Sequence, residues 1–245
     1  MDRRARPQIV AFGGGGFSME PGNPLLDDYV LSLAGSDRPK VCFLPTASGD
    51  ADHYIVRFYR TFCESACEAS HVSLFRRDAG VRDVEQHLMT RDVIYVGGGS
   101  VLSLLGAWRA HGLDVIVRRA WEAGVILCGG SAGSLCWFSS GVTAFHGEPQ
   151  RYEGLGLLPW SNCVHYDAEP QRDGAYRRML LDGMGAGYAA EDGTALHFTG
   201  ARLSRVVSLR PGARAYRMRA VGGRVERRAL GAEFLGAVAP VAAVA

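Results

Sequence analysis

Residues Val125–Phe138 read Val-Ile-Leu-Cys-Gly-Gly-Ser-Ala-Gly-Ser-Leu-Cys-Trp-Phe, and the fold turns on how this stretch is understood. The apolar run Val125-Ile126-Leu127-Cys128 has the length of a buried strand, and a helix-compatible segment follows Gly129-Gly130-Ser131-Ala132-Gly133. A strand entering a helix through Gly-x-Ser-x-Gly is the nucleophile-elbow pattern, in which small neighbours let the backbone turn sharply and project the serine hydroxyl from the strand end. The helix start aims free N–H groups and its positive dipole end at the place where an oxyanion would form. The competing reading is a glycine-rich turn with a capping serine. The rest of the chain decides between them.

Upstream, apolar strand runs alternate with helical spacing. Gln8–Phe12 reads as a strand followed by Gly13-Gly14-Gly15-Gly16, and Asn23–Leu33 has helical leucine spacing. Val41–Leu44 reads as the second strand, Asp52–Ser65 as an amphipathic helix and His71–Phe75 as the third strand. Asp92–Val96 is the fourth, ending in Gly97-Gly98-Gly99-Ser100 before a leucine-rich helix, and Asp114–Ala123 gives another helix stopped by Gly124. This alternation predicts an α/β fold with a mostly parallel, doubly wound sheet and helices on both faces. The glycine turns after Phe12, Val96 and Cys128 would then share the C-terminal strand edge, where such sheets place their chemistry. The Gly13–Gly16 run lacks the spacing and later acid of a dinucleotide site.

Beyond Ser139 the elements shorten. Asn162–His165 is strand-like and Gly174–Leu181 helical, while Ala195–Phe198, Val206–Leu209, Arg214–Val221 and Arg224–Arg228 alternate with turns as antiparallel strands do. They form a C-terminal antiparallel extension. With no linker and no internal repeat, residues 1–245 are expected to make a single domain, with the Ala/Val-rich tail after about residue 235 poorly ordered.

Composition removes several function classes. The 245 residues carry 47% hydrophobic and 21% charged side chains and a net charge of +2, so bulk electrostatics give no support to a nucleic-acid or membrane partner. The arginines of the C-terminal third read as solvated strand faces. The N-terminus does not have the form of a signal peptide, and no run of about 18 apolar residues exists, which together with the cysteine pattern points to a cytoplasmic protein. The six cysteines lie mostly in apolar runs without CxxC pairs, so reduced core thiols are expected and a metal site is not. Cys63 and Cys67 are spaced to be core neighbours on one helix face. Paired subunits suit the apolar content, although no residue marks a homodimer interface.

A serine hydroxyl needs a base, and the base needs an orienting acid. Among seven histidines, His165 stands out because it ends a short apolar run before Tyr166-Asp167; the acidic turn Glu191-Asp192-Gly193 offers the acid. Cys128, within the strand, reads as core. An α/β-hydrolase orders its triad serine, acid, histidine, whereas here only Ser131, His165, acid is available, which disfavours a lipase or esterase.

The glycine turn after the first strand, Val96-Gly97-Gly98-Gly99-Ser100, the elbow at Ser131, and His165 followed by Glu191-Asp192-Gly193 occur in an order that resembles the peptidase E (aspartyl dipeptidase) family of serine peptidases, kin of cyanophycinase with a class I glutamine-amidotransferase-like fold. The resemblance implies Ser131 as nucleophile, His165 as general base and then acid, Asp192 as third member with Glu191 as the alternative, and backbone N–H groups of Gly99 and Ala132 as the oxyanion hole. It also implies Arg172 as a cation for a substrate carboxylate, with Arg177 and Arg178 competing. The implied reaction is cleavage of a small peptide, an N-terminal Asp-X dipeptide being one candidate, without metal or cofactor. The alternatives are a cyanophycinase-like or other amide hydrolase, and a non-catalytic binding protein in which Ser131 only caps a helix.

Overall fold

A computed structural model describes residues 6–63, 67–76 and 81–236. Along the chain run β1 (Gln8–Phe12), α1 (Leu25–Ser32), β2 (Lys40–Leu44), α2 (Asp52–Cys63), β3 (Glu68–His71), α3 (Val84–Met89), β4 (Val93–Val96), α4 (Val101–His111), α5 (Leu113–Glu122) and β5 (Ile126–Gly130). They are followed by α6 (Ala132–Leu135), β6 (Phe138–Thr143), β7 (Gln150–Glu153), β8 (Leu158–Cys163), α7 (Gln171–Leu181), β9 (Gly187–Ala190), β10 (Thr194–Thr199), β11 (Arg202–Ser208), β12 (Ala215–Val221), β13 (Arg224–Leu230) and β14 (Glu233–Phe234).

The strands form two sheets, an eight-stranded one ordered β14-β11-β10-β1-β5-β4-β2-β3 and a six-stranded one ordered β13-β12-β9-β8-β6-β7. In the first, β1, β5, β4, β2 and β3 are parallel neighbours, and β10 joins antiparallel to β1. The strands of this parallel core are buried on both faces, which is why they read as continuous apolar runs instead of alternating ones. Ile9, Ala11, Cys42, Leu44, Ile94, Val96 and Leu127 pack on one side, with α4 and α5. Val10, Phe12, Val41, Phe43, Val93, Tyr95, Ile126 and Cys128 pack on the other, with α1 and α2. Phe17, fully buried, is the hub of the second cluster, with its ring 5.1 to 5.7 Å from those of Phe43, Tyr54, Phe58, Phe62 and Tyr95.

Several boundaries differ from the sequence expectation. The third strand is Glu68–His71, so His71 closes it instead of opening it. The segment after the elbow makes only the single helical turn α6 before entering β6. Of the six-stranded sheet the sequence disclosed β12, β13 and the end of β8 but not β6, β7 or β9, and the strands expected at Ala195–Phe198 and Val206–Leu209 join the first sheet as β10 and β11 instead of the C-terminal extension. One face of the six-stranded sheet is covered by α7 through Tyr166, Tyr176, Leu180, Tyr216 and Met218, and Tyr188, Ala190 and Ala215 on the other join the core of the first sheet. Cys63 is exposed at the end of α2 whereas Cys67 is buried, so the two are not a core pair. Residues 64–66, where α2 was expected to end, and the tail from 237 lie outside the described residues. Among the described residues no helix is long and apolar enough to cross a membrane.

Candidate active site

β1, β5 and β4 are adjacent and parallel, with Phe12 opposite Gly130 and Val96 opposite Gly129, so their three glycine turns meet on one edge. At the end of β5, Ser131 adopts φ 54° and ψ −117°, a conformation that costs a non-glycine residue about 1–3 kcal/mol. What enforces it is close packing: a Cβ on Gly129 or on Gly133 would overlap the carbonyl oxygen of Val96. The Gly-x-Ser-x-Gly spacing therefore seats the bend against β4. The Ser131 side chain makes no capping hydrogen bond, and α6 is only four residues long, so the helix-capping explanation of this serine has no support.

His165 follows β8 and has φ 53°. Its N–H donates to the carbonyl of Gly13 at 2.9 Å, which fixes the residue to the glycine run after β1. Its Nδ1 lies 2.6 Å from Asp192 Oδ1, with both side chains about 15% exposed (14% and 16%). Asp192 is placed in turn by its own N–H, which donates to Asp167 Oδ1 at 2.8 Å, and by the Gly193 N–H, which donates to the carbonyl of Gly14 at 2.9 Å. Gly14 sits directly against the pair: a Cβ there would overlap Asp192 Oδ1 and come within 3.0 Å of His165 Nδ1. With Nδ1 turned to the carboxylate, Nε2 is the ring nitrogen left to exchange a proton. The Ser131 hydroxyl has no hydrogen-bond partner among the described residues. Serine–histidine bonds of this kind often tighten only once substrate is bound.

The structure separates the two acids of the turn. Glu191 faces away, with Oε2 accepting from the Arg214 N–H at 2.8 Å and Oε1 from the Tyr216 hydroxyl at 2.7 Å. Across the site, the Gly97–Ser100 turn lies beside the serine, a Cβ on Gly98 falling 3.4 Å from that of Ser131. The Gly98 N–H donates to the Tyr54 hydroxyl at 3.0 Å and the Ser100 N–H to the carbonyl of Ala47 at 2.9 Å. The N–H groups of Gly99 and Ala132 have no partner among the described residues.

Arg172 is 5% exposed and already occupied: its Nε and Nη2 donate to Glu169 at 2.7 and 3.0 Å, and its Nη1 donates to the carbonyl of Val142 at 3.2 Å. The guanidinium holds the Glu169 carboxyl below the usual carboxylate range, and the nearby His165 adds to the effect. Arg177 pairs with Asp173. Cys128 is fully buried and its thiol is pushed well up by burial, as suits a core residue.

Four supporting side chains escaped the sequence reading. Tyr54 looked like one residue of an amphipathic helix, and Asp167 like part of a loop, though its place two residues after His165 was a usable signal. His146, not singled out among the seven histidines, shares a 3.0 Å hydrogen bond with Ser100. Asp27 lies under the glycine run, 3% exposed, accepting from the Tyr95 hydroxyl at 3.0 Å while its second oxygen has no partner. Burial raises its carboxyl to about 7, the Tyr95 bond opposing part of the rise. The unfolded chain gives up this proton near the ordinary carboxylate value and the folded chain only near 7, so Asp27 contributes a loss of stability as pH rises between them. Asp27→Asn is expected to flatten that slope in urea unfolding midpoints measured from pH 4 to 8; an unchanged slope would assign it to other groups.

Known proteins resemble this chain in sequence and in fold. Residues 9–206 match peptidase family S51. The chain is 46% identical over 230 residues to the uncharacterized peptidase YgaJ of Bacillus subtilis (strain 168), covering 94% of this chain and 99% of that protein. It is 30% identical over 135 residues to peptidase E of Streptomyces coelicolor, about half of each chain (54% and 53%). Among solved structures, a peptidase from an acI-B1 Actinobacterium superposes with a TM-score of 0.72 at 18% identity, covering 94% of this chain and 96% of that one. A putative peptidase E from Listeria monocytogenes EGD-e gives 0.60 at 18% identity, covering 84% and 100%. Matched over most of its length, the chain belongs to peptidase family S51.

Proposed function

We propose that this serine peptidase cleaves small peptides through an acyl-enzyme on Ser131. The observation that carries the reading is the His165–Asp192 pair, fixed through Gly13 and Gly14 to the turn after β1, the strand that pairs with β5, at whose end stands a strained serine that caps nothing. In this mechanism Ser131 Oγ attacks the scissile carbonyl while His165 Nε2 accepts its proton, and Asp192 holds the ring in the tautomer that leaves Nε2 free. The N–H groups of Gly99 and Ala132 receive the oxyanion, each worth about 3 kcal/mol of barrier. His165 then gives its proton to the leaving amine, and water repeats the sequence in reverse to free the acid. The same chemistry on a non-peptide or cyanophycin-like amide is the second reading. The free cysteines suit a cytoplasmic location.

An N-terminal aspartate is the proposed preference, and Arg172 the group that would receive it. Glu169 now occupies its fork, so the substrate carboxylate must displace an internal one. Glu169→Gln is therefore expected to lower KM for Asp-Leu and leave Ala-Leu unchanged, with hydrolysis followed by mass spectrometry. Equal cleavage of both by the wild-type protein would remove the aspartate preference and leave the peptidase reading standing; no cleavage of any free or blocked dipeptide would count against the peptide itself.

A further inference from the structure

At the end of β10 remote from the acid turn, the two sheets part around a cavity of about 660 Å³ whose lining includes three arginines and no carboxylate. β10 leads there: it starts at Thr194 beside the acid turn and ends at Thr199 on the cavity wall, about 17 Å away at ~3.4 Å per residue. Arg217 on β12 stands directly opposite Arg228 on β13 in the strand register. Like charges so placed repel unless something answers them. Among the described residues neither Arg228 nor Arg202, both exposed, has an ion pair, and the carboxylate of the next pair on the same face, Glu226, is joined to Arg219 at 2.6 Å.

Arg217 is held in a fixed plane. Its guanidinium carbon lies 4.2 Å from the centre of the Trp160 ring and 4.7 Å from that of Tyr188, and Nη1 donates to the carbonyl of Gly187 at 3.0 Å. Trp160 is itself pinned by its indole N–H, which donates to the carbonyl of Ala201 at 3.0 Å. A stacked guanidinium with one edge used presents its other edge in the fork geometry that accepts a carboxylate. The strands beside the cavity have free flanks. Among the described residues β13 is the outermost strand of its sheet and β14 covers β11 only at Val207 and Ser208, which leaves backbone groups of both strands for an added strand. Carboxylates for the forks and a backbone for the strand edges are what an acidic peptide offers in one ligand. A second copy of the chain would present arginines to arginines.

We propose that the cleft between the two sheets, lined by Arg202, Arg217, Arg228 and Trp160, binds an acidic peptide segment in extended form, independently of the Ser131 site. Two carboxylates two residues apart project from the same side of an extended strand and so meet the cavity together.

The test is calorimetric titration of the Ser131→Ala protein with acetyl-(Asp)4-amide, with acetyl-(Ala)4-amide and a 12-nucleotide single-stranded DNA as controls. One tetra-aspartate is expected to bind per chain, more tightly at 50 mM than at 300 mM salt, and the tetra-alanine peptide not at all. Arg202→Gln combined with Arg228→Gln is expected to weaken binding tenfold or more without lowering the urea midpoint, since neither side chain supports the fold through an ion pair. Arg217→Lys, which keeps the charge and loses the stacked fork, is expected to weaken it as well. The proposal is overturned by absent tetra-aspartate binding, by binding that survives the double substitution, or by DNA binding more tightly than the peptide. Because the receptor lacks Ser131, none of these outcomes depends on the peptidase reading.

Discussion

Replacing Ser131 by alanine is expected to lower kcat/KM for any peptide the protein cleaves by about 10,000-fold to a millionfold, with circular dichroism unchanged. The size of the effect follows from the division of labour at the site. In the proposed mechanism the hydroxyl oxygen forms the covalent bond, and no neighbouring group replaces it: Cys128 is buried within β5, and the residues flanking the serine are glycine and alanine. Stability responds in the opposite direction. Ser131 occupies a backbone region that strains any side chain, so Ser131→Gly is expected to raise the unfolding free energy by about 1–2 kcal/mol while removing activity equally. Kinetics and urea unfolding on the same preparations read both. A serine that served only the fold would give the reverse, a less stable protein with its activity intact.

The second large effect separates the two acids of one turn. Asp192→Asn is expected to lower kcat by about 1,000- to 10,000-fold, because an amide opposite Nδ1 favours the wrong tautomer of His165 and cannot stabilise the imidazolium. Glu191→Gln, one residue away, is expected to leave kcat near the wild-type value. Its cost is structural: Glu191 ties the Arg214 N–H and the Tyr216 hydroxyl, and weakening those charge-assisted bonds is expected to lower stability by about 1–3 kcal/mol. Steady-state kinetics and unfolding midpoints on the two variants give crossed outcomes, large and small in kcat, small and large in stability. Equal losses of kcat would mean that the turn acts as a unit.

What the sequence disclosed and what it hid follow from where each element gets its stability. β1, β2, β4 and β5 are buried on both faces, so their side chains alone announce them. Gly13, Gly14, Gly99, Gly129 and Gly133 are required by close packing that any side chain would break. β6 and β7 carry Ser139, Ser140, Gly141, Gln150 and Arg151, which have little intrinsic strand preference as a set. They are strands because β6 pairs with β8 and because the Tyr152 hydroxyl donates to the carbonyl of Leu135, contacts between distant residues that no local pattern carries. The same distinction holds at the site. Ser131 was legible because its bend needs glycines on both sides. The choice between Asp192 and Glu191 was not, since two adjacent carboxylates on a turn point in different directions for reasons that lie in β12 and in the loop at Asp167. His197, within the expected strand Ala195–Phe198, is a satisfied core histidine, bonded to Tyr29 at 2.7 Å and Gln8 at 2.9 Å.

The claim beneath the whole account is that Ser131 is a nucleophile activated by His165. Intact-protein mass spectrometry after incubation with a fluorophosphonate tests it most directly, followed by peptide mapping of the adduct. The account predicts one adduct per chain, located on Ser131, absent from Ser131→Ala and slowed at least a hundredfold by His165→Ala. A modified residue other than Ser131, or labelling of Ser131 at the same rate without the imidazole, would contradict it.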